Sequence, residues 1–585
     1  MISRNTILSE RAAFGLRVFV GVAFGLILAW LSRLTAHLSI PGIADRPPPV
    51  FPGTFWRPVL SSTLMLTAFI WWAGAGTMRR TTLAAWGVAA TAVVAFLAWH
   101  QVNAGHGGGA YVFTSSAAWL ILPLLFIAHE LVSSGDRAGR WIAPYPTYFD
   151  QAWKHGVQLL LSLLFTGLFW MILWLGAALL GLIGFDWFKT LLGNDWFHWP
   201  ACGAAMACAV QLGDVQDRML ANVRAVVLSV LSWLLPVIAA IGLLFLGALC
   251  VSGLEPLWKT KAATATLLGA SVAFVLLINA AYQQGDAERP VNIVMKWATR
   301  LACGLLLVFS ALAVYSLWLR VAQYGLTPER VLAGAGVIVA GLFGLGYAAA
   351  AVWPGRWLAR IETVNIAMAF VKGLIFLGLL TPAGDPARLS VADQVARLQS
   401  GRTAPDHFDW YQLRFQTGRY GADALHDLVK SGHTADIRAR AAKANALKDE
   451  DRWTPREDMV ARSAIDDLGK LKVVYPAGAT RPATFDGAAL ETGNLRDCVR
   501  DPKLTCAAAI IDLNGDGVAE IAVLKANDVT VFRNAGGQWR VVPMGVTYLT
   551  DDSVRAFNAG QIGAKPHAWS DLTVGAQSLT INGKP

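Results

Sequence analysis

Residues 361–380 read IETVNIAMAFVKGLIFLGLL, and the next twenty, 381–400, read TPAGDPARLSVADQVARLQS. A helix that crosses a bilayer needs about 20 mostly apolar residues. The first stretch meets that requirement, with Glu362 and Lys372 as its only ionisable side chains. The second stretch is broken by Pro382, Gly384 and Pro386 and carries four charged side chains. The boundary at Thr381 separates two kinds of chain.

On the N-terminal side the pattern of 361–380 repeats. Apolar runs occur at 13–32, 58–75, 82–100, 111–132, 156–184, 200–213, 225–252, 262–282, 293–318, 330–353 and 361–380. Over all 585 residues, 55% are hydrophobic and 15% charged, against about 25% charged in a soluble protein. The sequence predicts a polytopic α-helical membrane bundle of 10–11 spans over residues 1–381. The count turns on 200–213, a short run that either crosses or is re-entrant. The aromatic stretch before it, with Trp187, Phe188, Trp196, Phe197 and Trp199, has the composition of an interfacial belt. Arg4 and Arg11 precede the first run as in a signal peptide, but the run is long and lacks a clean cleavage site, so it reads as a retained span.

Net charge is +10. No stripe of Lys and Arg interleaved with aromatics occurs, which argues against nucleic acid. The excess fits retention of Lys and Arg in cytoplasmic loops. With the N-terminus inside and eleven spans, the inner loops hold Arg79, Arg80, Arg137, Arg140, Lys154, Arg218, Arg224, Arg289, Lys296, Arg356 and Arg360. The outer loops hold fewer: Arg33, Arg46, Arg57, Lys189, Lys259, Lys261 and Arg320. This topology puts the C-terminal region outside a bacterial inner membrane, in the periplasm.

Ionisable residues within spans are candidates for function. Lys372 lies mid-span, whereas Glu130, Arg300 and Glu362 fall toward the cytoplasmic ends, with Asn365 one turn from Glu362. They can form one polar cluster, or each can snorkel or pair structurally. His129–Glu130 begins like a metalloprotease helix, but H-E-x-x-H would need histidine where Ser133 stands. No Walker-type loop or G-x-S-x-G follows, and Gly107–Gly109 reads as a flexible outer loop.

The tail divides again. Residues 382–455 carry helical spacing at 391–398, 424–429 and 437–447, with Ser390 as a candidate N-cap. Residues 456–585 carry short alternating runs at 471–475, 507–512, 520–525, 529–532, 539–542, 572–574 and 579–581, the pattern of a small antiparallel β-rich domain. Cys498 and Cys506 lie there, either bridged in an oxidising compartment or as free thiols. Cys202, Cys208, Cys250 and Cys303 sit in apolar runs as packing residues.

Between two β runs lies Asp512-Leu-Asn514-Gly-Asp516-Gly-Val518-Ala-Glu520. Side-chain oxygens fall at positions 1, 3, 5 and 9, with glycine at 6 and the Val518 carbonyl at 7. Ca²⁺ takes six to eight oxygens in flexible geometry, which this spacing supplies. Position 12 is Val523 and the flanks are β runs, which excludes an EF-hand. The stretch resembles the β-flanked calcium loops of FG-GAP and integrin-type repeat proteins. The alternative is an Asn-Gly-Asp-Gly hairpin turn without metal.

Three further segments carry a family resemblance: Tyr145-Pro-Thr-Tyr-Phe-Asp150-Gln-Ala-Trp153; Tyr324-Gly-Leu-Thr-Pro-Glu-Arg330; and Leu389-Ser-Val-Ala-Asp-Gln394 with Phe408-Asp-Trp-Tyr411 and Gly418-Arg-Tyr-Gly421. Together they resemble the bacterial integral-membrane family called domain of unknown function 4153. The resemblance implies a membrane location and the helical fold, and it implies no activity. Thr327, Pro328 and Glu329 also read physically as cap, first turn and dipole partner of a helix.

Three functions remain open. The first is a non-enzymatic envelope scaffold or sensor, embedded in the lipid bilayer, that presents a calcium-stabilised outer domain to an envelope partner. The second is a transporter or channel using Lys372 and the Arg300, Glu130 and Glu362 region. The third, for which no catalytic constellation is found, is an enzyme on a lipid-linked substrate.

Overall fold

A computed structural model describes residues 7–36, 52–105, 118–255, 257, 260, 262–283, 292–354, 357–447, 468–493, 495–500, 504–543, 548–565, 571–575 and 577–579. Gly107–Gly109, Arg46, Lys259, Lys261, Arg289 and Arg356 lie outside the described residues. The chain forms two compact units, Met1–Ala446 and Leu447–Pro585.

The first unit is helical. Its long helices are α1 (Glu10–Ala36), α2 (Pro52–Gly74), α3 (Arg80–Asn103), α4 (Ile121–Ala138) and α5 (Tyr145–Leu182). After the short α6 (Trp187–Leu192) come α7 (Asp195–Val215), α8 (Asp217–Ser252), α9 (Ala263–Tyr282), α10 (Ile293–Tyr324), α11 (Pro328–Val352) and α12 (Arg360–Leu379). Each of the eleven expected spans overlaps one of these helices, and 111–117, the start of the fourth, lies outside the described residues. Among the described residues, eight are long and apolar enough to cross a membrane. The other three are α2, α4 and α7, and 200–213 belongs to the unbroken helix α7.

Burial follows the logic of lipid rather than water. On α5, Leu160, Met171 and Leu175 are each about 60% exposed or more, while Gln151, His155, Gln158 and Ser162 face inward and are buried. Apolar side chains cover the outside because hydrocarbon is the solvent there, and polar groups find partners inside. The chain is a multi-pass membrane protein. Tyr145, Phe149, Leu235, Phe274, Phe309, Phe343 and Tyr347 build a large core where α8 to α12 pack with the start of α5.

Four shorter helices complete this unit: α13 (Pro386–Gln399), α14 (Trp410–Phe415), α15 (Gly418–Ser431) and α16 (Ala435–Asn445). The sequence suggested an extramembrane helical segment over 382–455; in it α13 and α15 are fastened to the bundle by polar contacts, and α14 and α16 pack with them. Asp385, not Ser390, caps α13, through the N–H groups of Ala387 and Arg388. Asp385 also meets His100 at the end of α3, Nε2 to Oδ2 2.9 Å, with both side chains buried. Ser390 sits inside the helix and donates to the Leu326 carbonyl at 3.1 Å.

The second unit holds a five-stranded sheet in the order β1 (Lys472–Tyr475), β2 (Cys506–Ile511), β3 (Glu520–Lys525), β4 (Asp528–Ala535) and β5 (Gln538–Val542). The pair β1–β2 is parallel and the others are antiparallel. Alternate residues feed two cores. Ala509, Ala522, Leu524 and Val531 face one with Phe557, and Ala508, Ile521, Val523 and Phe532 face the other with Phe485. Burial on both faces makes β2 and β3 almost continuously apolar. A second sheet joins β6 (Ile562–Lys565), β7 (Asp571–Val574) and β8 (Gln577–Leu579).

Candidate functional site

The polar interior of the membrane unit is built on α4 and α5. His129 and Glu130 point inward from the middle of α4, and His155 from the third turn of α5; all three are buried. His155 Nδ1 lies 2.6 Å from Glu130 Oε1. Trp86 of α3 donates its indole N–H to His129 Nδ1 at 3.3 Å. The two imidazole rings are 5.5 Å apart, and Phe69 of α2 packs edge-on to His129. Three atoms remain buried without a hydrogen-bond partner: His129 Nε2, Glu130 Oε2 and His155 Nε2. Each such group costs about 1–3 kcal/mol when nothing satisfies it. Among the described residues this is the one group of three or more His, Cys, Asp or Glu whose ligand atoms lie within 4.8 Å of one another.

Beside it, Phe69, Trp72, Met206 and Val210 close a cavity of about 10 Å³ that runs from His155 to Gln158. Gln158 donates to the Val210 carbonyl at 2.8 Å and to Asp214 at 3.1 Å. Asp214 pairs with Arg17 of α1 and with Lys154, the latter at 3.4 Å. Arg17 is 1% exposed. It also meets Gln211 and donates to the carbonyls of Trp72 and Ala75 at 2.9 and 2.6 Å. Two other helices, α7 and the C-terminal end of α2, thus spend polar groups on one guanidinium.

A second network lies among α5, α9, α11 and α12. Asn365 donates to Asn279 at 2.6 Å and to the Tyr145 hydroxyl at 3.2 Å, and accepts from Tyr347 at 2.5 Å. Asn279 donates to Tyr347 at 2.7 Å, and Tyr282 donates to Glu362 at 2.8 Å.

The expected single cluster is therefore divided. Glu130 joins the histidines, whereas Glu362 and Asn365 join the tyrosines. Arg300 stands on an exposed face 5.7 Å from the Trp297 ring, and Lys372 lies 5.4 Å over Phe343. Sequence reasoning discarded His129–Glu130 because Ser133 fills the second ligand position. The second histidine instead comes from the next helix. His155 and Arg17 were missed because each is a single polar residue near an apolar run, and only tertiary packing pairs it. A buried polar stripe on α5 (Gln151, His155, Gln158, Ser162) was the available signal.

In the second unit, Cys498 and Cys506 form a disulfide with Cα atoms 5.5 Å apart. The loop between β2 and β3 is held by its own carboxylates. Asp512 accepts from the N–H groups of Gly515 and Gly517 at 2.7 and 3.0 Å, and Asp516 accepts from Val518 at 2.7 Å. Glu520 accepts from Leu513 N–H at 2.8 Å and from the Asn514 amide at 3.3 Å. Gly515 and Gly517 have φ of +76° and +83°, which glycine adopts without strain. The N–H groups, with Gly517's foremost, hold the Asp512 carboxyl below its ordinary range. Burial pushes the Glu520 carboxyl up, and Asp516 and Asp512 add to the rise.

Two of the segments behind the family resemblance, Tyr324–Arg330 and Leu389–Gln394, meet in space. Leu326 N–H donates to Asp393 at 2.7 Å, and Gln394 donates to the Leu326 carbonyl at 2.9 Å. Thr327 caps α11 through Arg330 N–H at 3.3 Å. Gly325, at φ +74°, leaves no room for a Cβ beside Asp393 and Gln394. A family profile described as Domain of unknown function (DUF4153) matches residues 59–430. No curated protein and no solved structure matches the chain. The profile match begins in α2 and ends in α15, well over half of the chain, so the protein belongs to the family named domain of unknown function 4153.

Proposed function

We propose that this protein is a non-enzymatic, multi-pass protein of a bacterial inner membrane that carries its C-terminal unit in the periplasm, as a calcium-stabilised module for sensing or for binding an envelope partner. The observation that carries the reading is the Cys498–Cys506 disulfide in a unit with its own two cores. Disulfides persist in oxidising compartments and are rare in the cytosol. Two features support the same side. Eleven long helices, all crossing, would deliver a chain that starts inside to the outer face. The loop Asp512, Asn514, Asp516, Val518 and Glu520 has the ligand order of a weak calcium site, of a kind useful only where calcium is abundant.

The loop's carboxylates accept backbone N–H bonds yet keep further lone pairs for a cation. Calcium would also neutralise the like charges around the buried Glu520. Val518 and Tyr548 are exposed apolar side chains available to a partner. The test is an impermeant protease added to cells with an opened outer membrane. Removal of the C-terminal unit while the cytoplasm stays sealed supports the reading; protection until the inner membrane is lysed contradicts it.

A further inference from the structure

We infer that His129, Glu130 and His155 form a binding site for one first-row transition ion of the zinc class, inside the membrane unit. Two imidazoles and one carboxylate are the donor set that such ions take, and zinc sites with three protein ligands commonly use it. Calcium and magnesium prefer oxygen donors throughout, so two histidines select against them. The three side chains come from two adjoining helices and bring their ligand atoms within 4.8 Å of one another.

The hydrogen bonds sort the roles. His155 Nδ1 faces Glu130 Oε1 at 2.6 Å, and an ion entering between them replaces the proton they share, taking one donor atom from each. Glu130 Oε2 and His129 Nε2 are unpartnered and buried beside this pair. For His129 to bind through Nε2, its ring proton must sit on Nδ1, where Trp86 now donates. That bond, at 3.3 Å, is already longer than the ordinary N–H bond and is the one that yields. The 10 Å³ cavity lined by His155 has room for about one water. The rival arrangement keeps the proton between His155 and Glu130, with a lone water accepting from His129 Nε2–H and donating to Glu130 Oε2.

The untagged full-length protein, purified in detergent and stripped with a chelator, is titrated with Co²⁺. The expected result is one equivalent bound, with the visible absorption of a low-coordinate nitrogen and oxygen site, and displacement by one equivalent of Zn²⁺. His129→Asn and His155→Asn should each weaken binding by about 100-fold or more, beyond the range seen for outer-shell changes, while size-exclusion elution is unchanged. X-ray absorption of the zinc-loaded wild type gives a readout that needs no variant and should show two imidazoles in the first shell. Failure of the wild type to bind one equivalent of Co²⁺, or a zinc shell without two imidazoles, overturns the site and leaves the trapped water as the occupant.

Discussion

Gly21 of α1 and Gly203 of α7 meet backbone to backbone, so that a Cβ built on either would overlap the carbonyl group of the other. Gly25, one turn on, meets Trp199 and Pro200 in the same way. Small residues four apart let membrane helices approach where no hydrophobic effect drives them together. Gly203→Leu should separate the helices and destabilise the protein by about 1–3 kcal/mol, the usual cost of overpacking. Gly15→Ala, where nothing lies within 4 Å, should stay within about 0.5 kcal/mol. Thermal unfolding in detergent measures both; equal effects would remove the close crossing.

The same crossing positions Arg17 against Asp214. Removing one partner of a buried ion pair costs about 3–5 kcal/mol because the other charge is left uncompensated. Asp214→Asn should fall in the lower part of that range, since Lys154 also loses its partner but is itself partly exposed. Arg17→Met combined with Asp214→Leu should be milder than Arg17→Met alone. Unfolding midpoints of the three variants decide it, and a double variant worse than both singles would contradict the pairing.

Asn365 closes a network of two asparagines and two tyrosines across four helices. Interhelical hydrogen bonds in membranes are worth about 0.6–2 kcal/mol. Asn365→Leu breaks three and leaves the Asn279 oxygen without its closest donor, so a loss of about 2 kcal/mol is expected. Asn365→Asp should recover part of it by keeping an acceptor for Tyr347. Identical melting of all three proteins would show that the network contributes nothing.

The loop before Glu520 predicts a dependence on pH and calcium. The lowered Asp512 carboxyl contributes stability above the ordinary carboxylate range, and this is lost as pH falls through its depressed value. The raised Glu520 carboxyl acts oppositely: the folded unit holds its proton more tightly, so stability falls as pH rises through the raised value. At about 10 mM calcium, a site with Kd about 1 mM adds about 1.4 kcal/mol. Glu520→Gln should make calcium-free melting at neutral pH at least as stable as wild type and abolish the calcium increment. Melting of the full chain with calcium and with chelator reads both, and an unchanged increment in the variant would remove Glu520 from the site.

Much of this fold was legible because hydrocarbon demands long apolar helices: each of the eleven runs overlaps a helix, and eight of the described helices are long and apolar enough to cross. The Thr327 cap was legible for the same local reason, since a cap and its helix are neighbours in sequence. The ends of the tail helices were less so: Asp385 caps α13 five residues before the cap read at Ser390, and its further partner His100 comes from α3. The candidate site was the least legible. His129, Glu130 and His155 lie on two helices, and no spacing rule for one helix finds a ligand on another. Lys372, conspicuous in the sequence, went to an aromatic ring instead.

The placement of the C-terminal unit rests most directly on Cys498 and Cys506. In a full-length chain with Cys202, Cys208, Cys250 and Cys303 replaced by serine, cells are quenched in acid and the remaining thiols alkylated before and after reduction. The account predicts that neither cysteine is alkylated until reductant is added, and that both then are. Two thiols alkylated without reduction, and in intact cells only by a membrane-permeant reagent, would place the unit in the cytoplasm and contradict it.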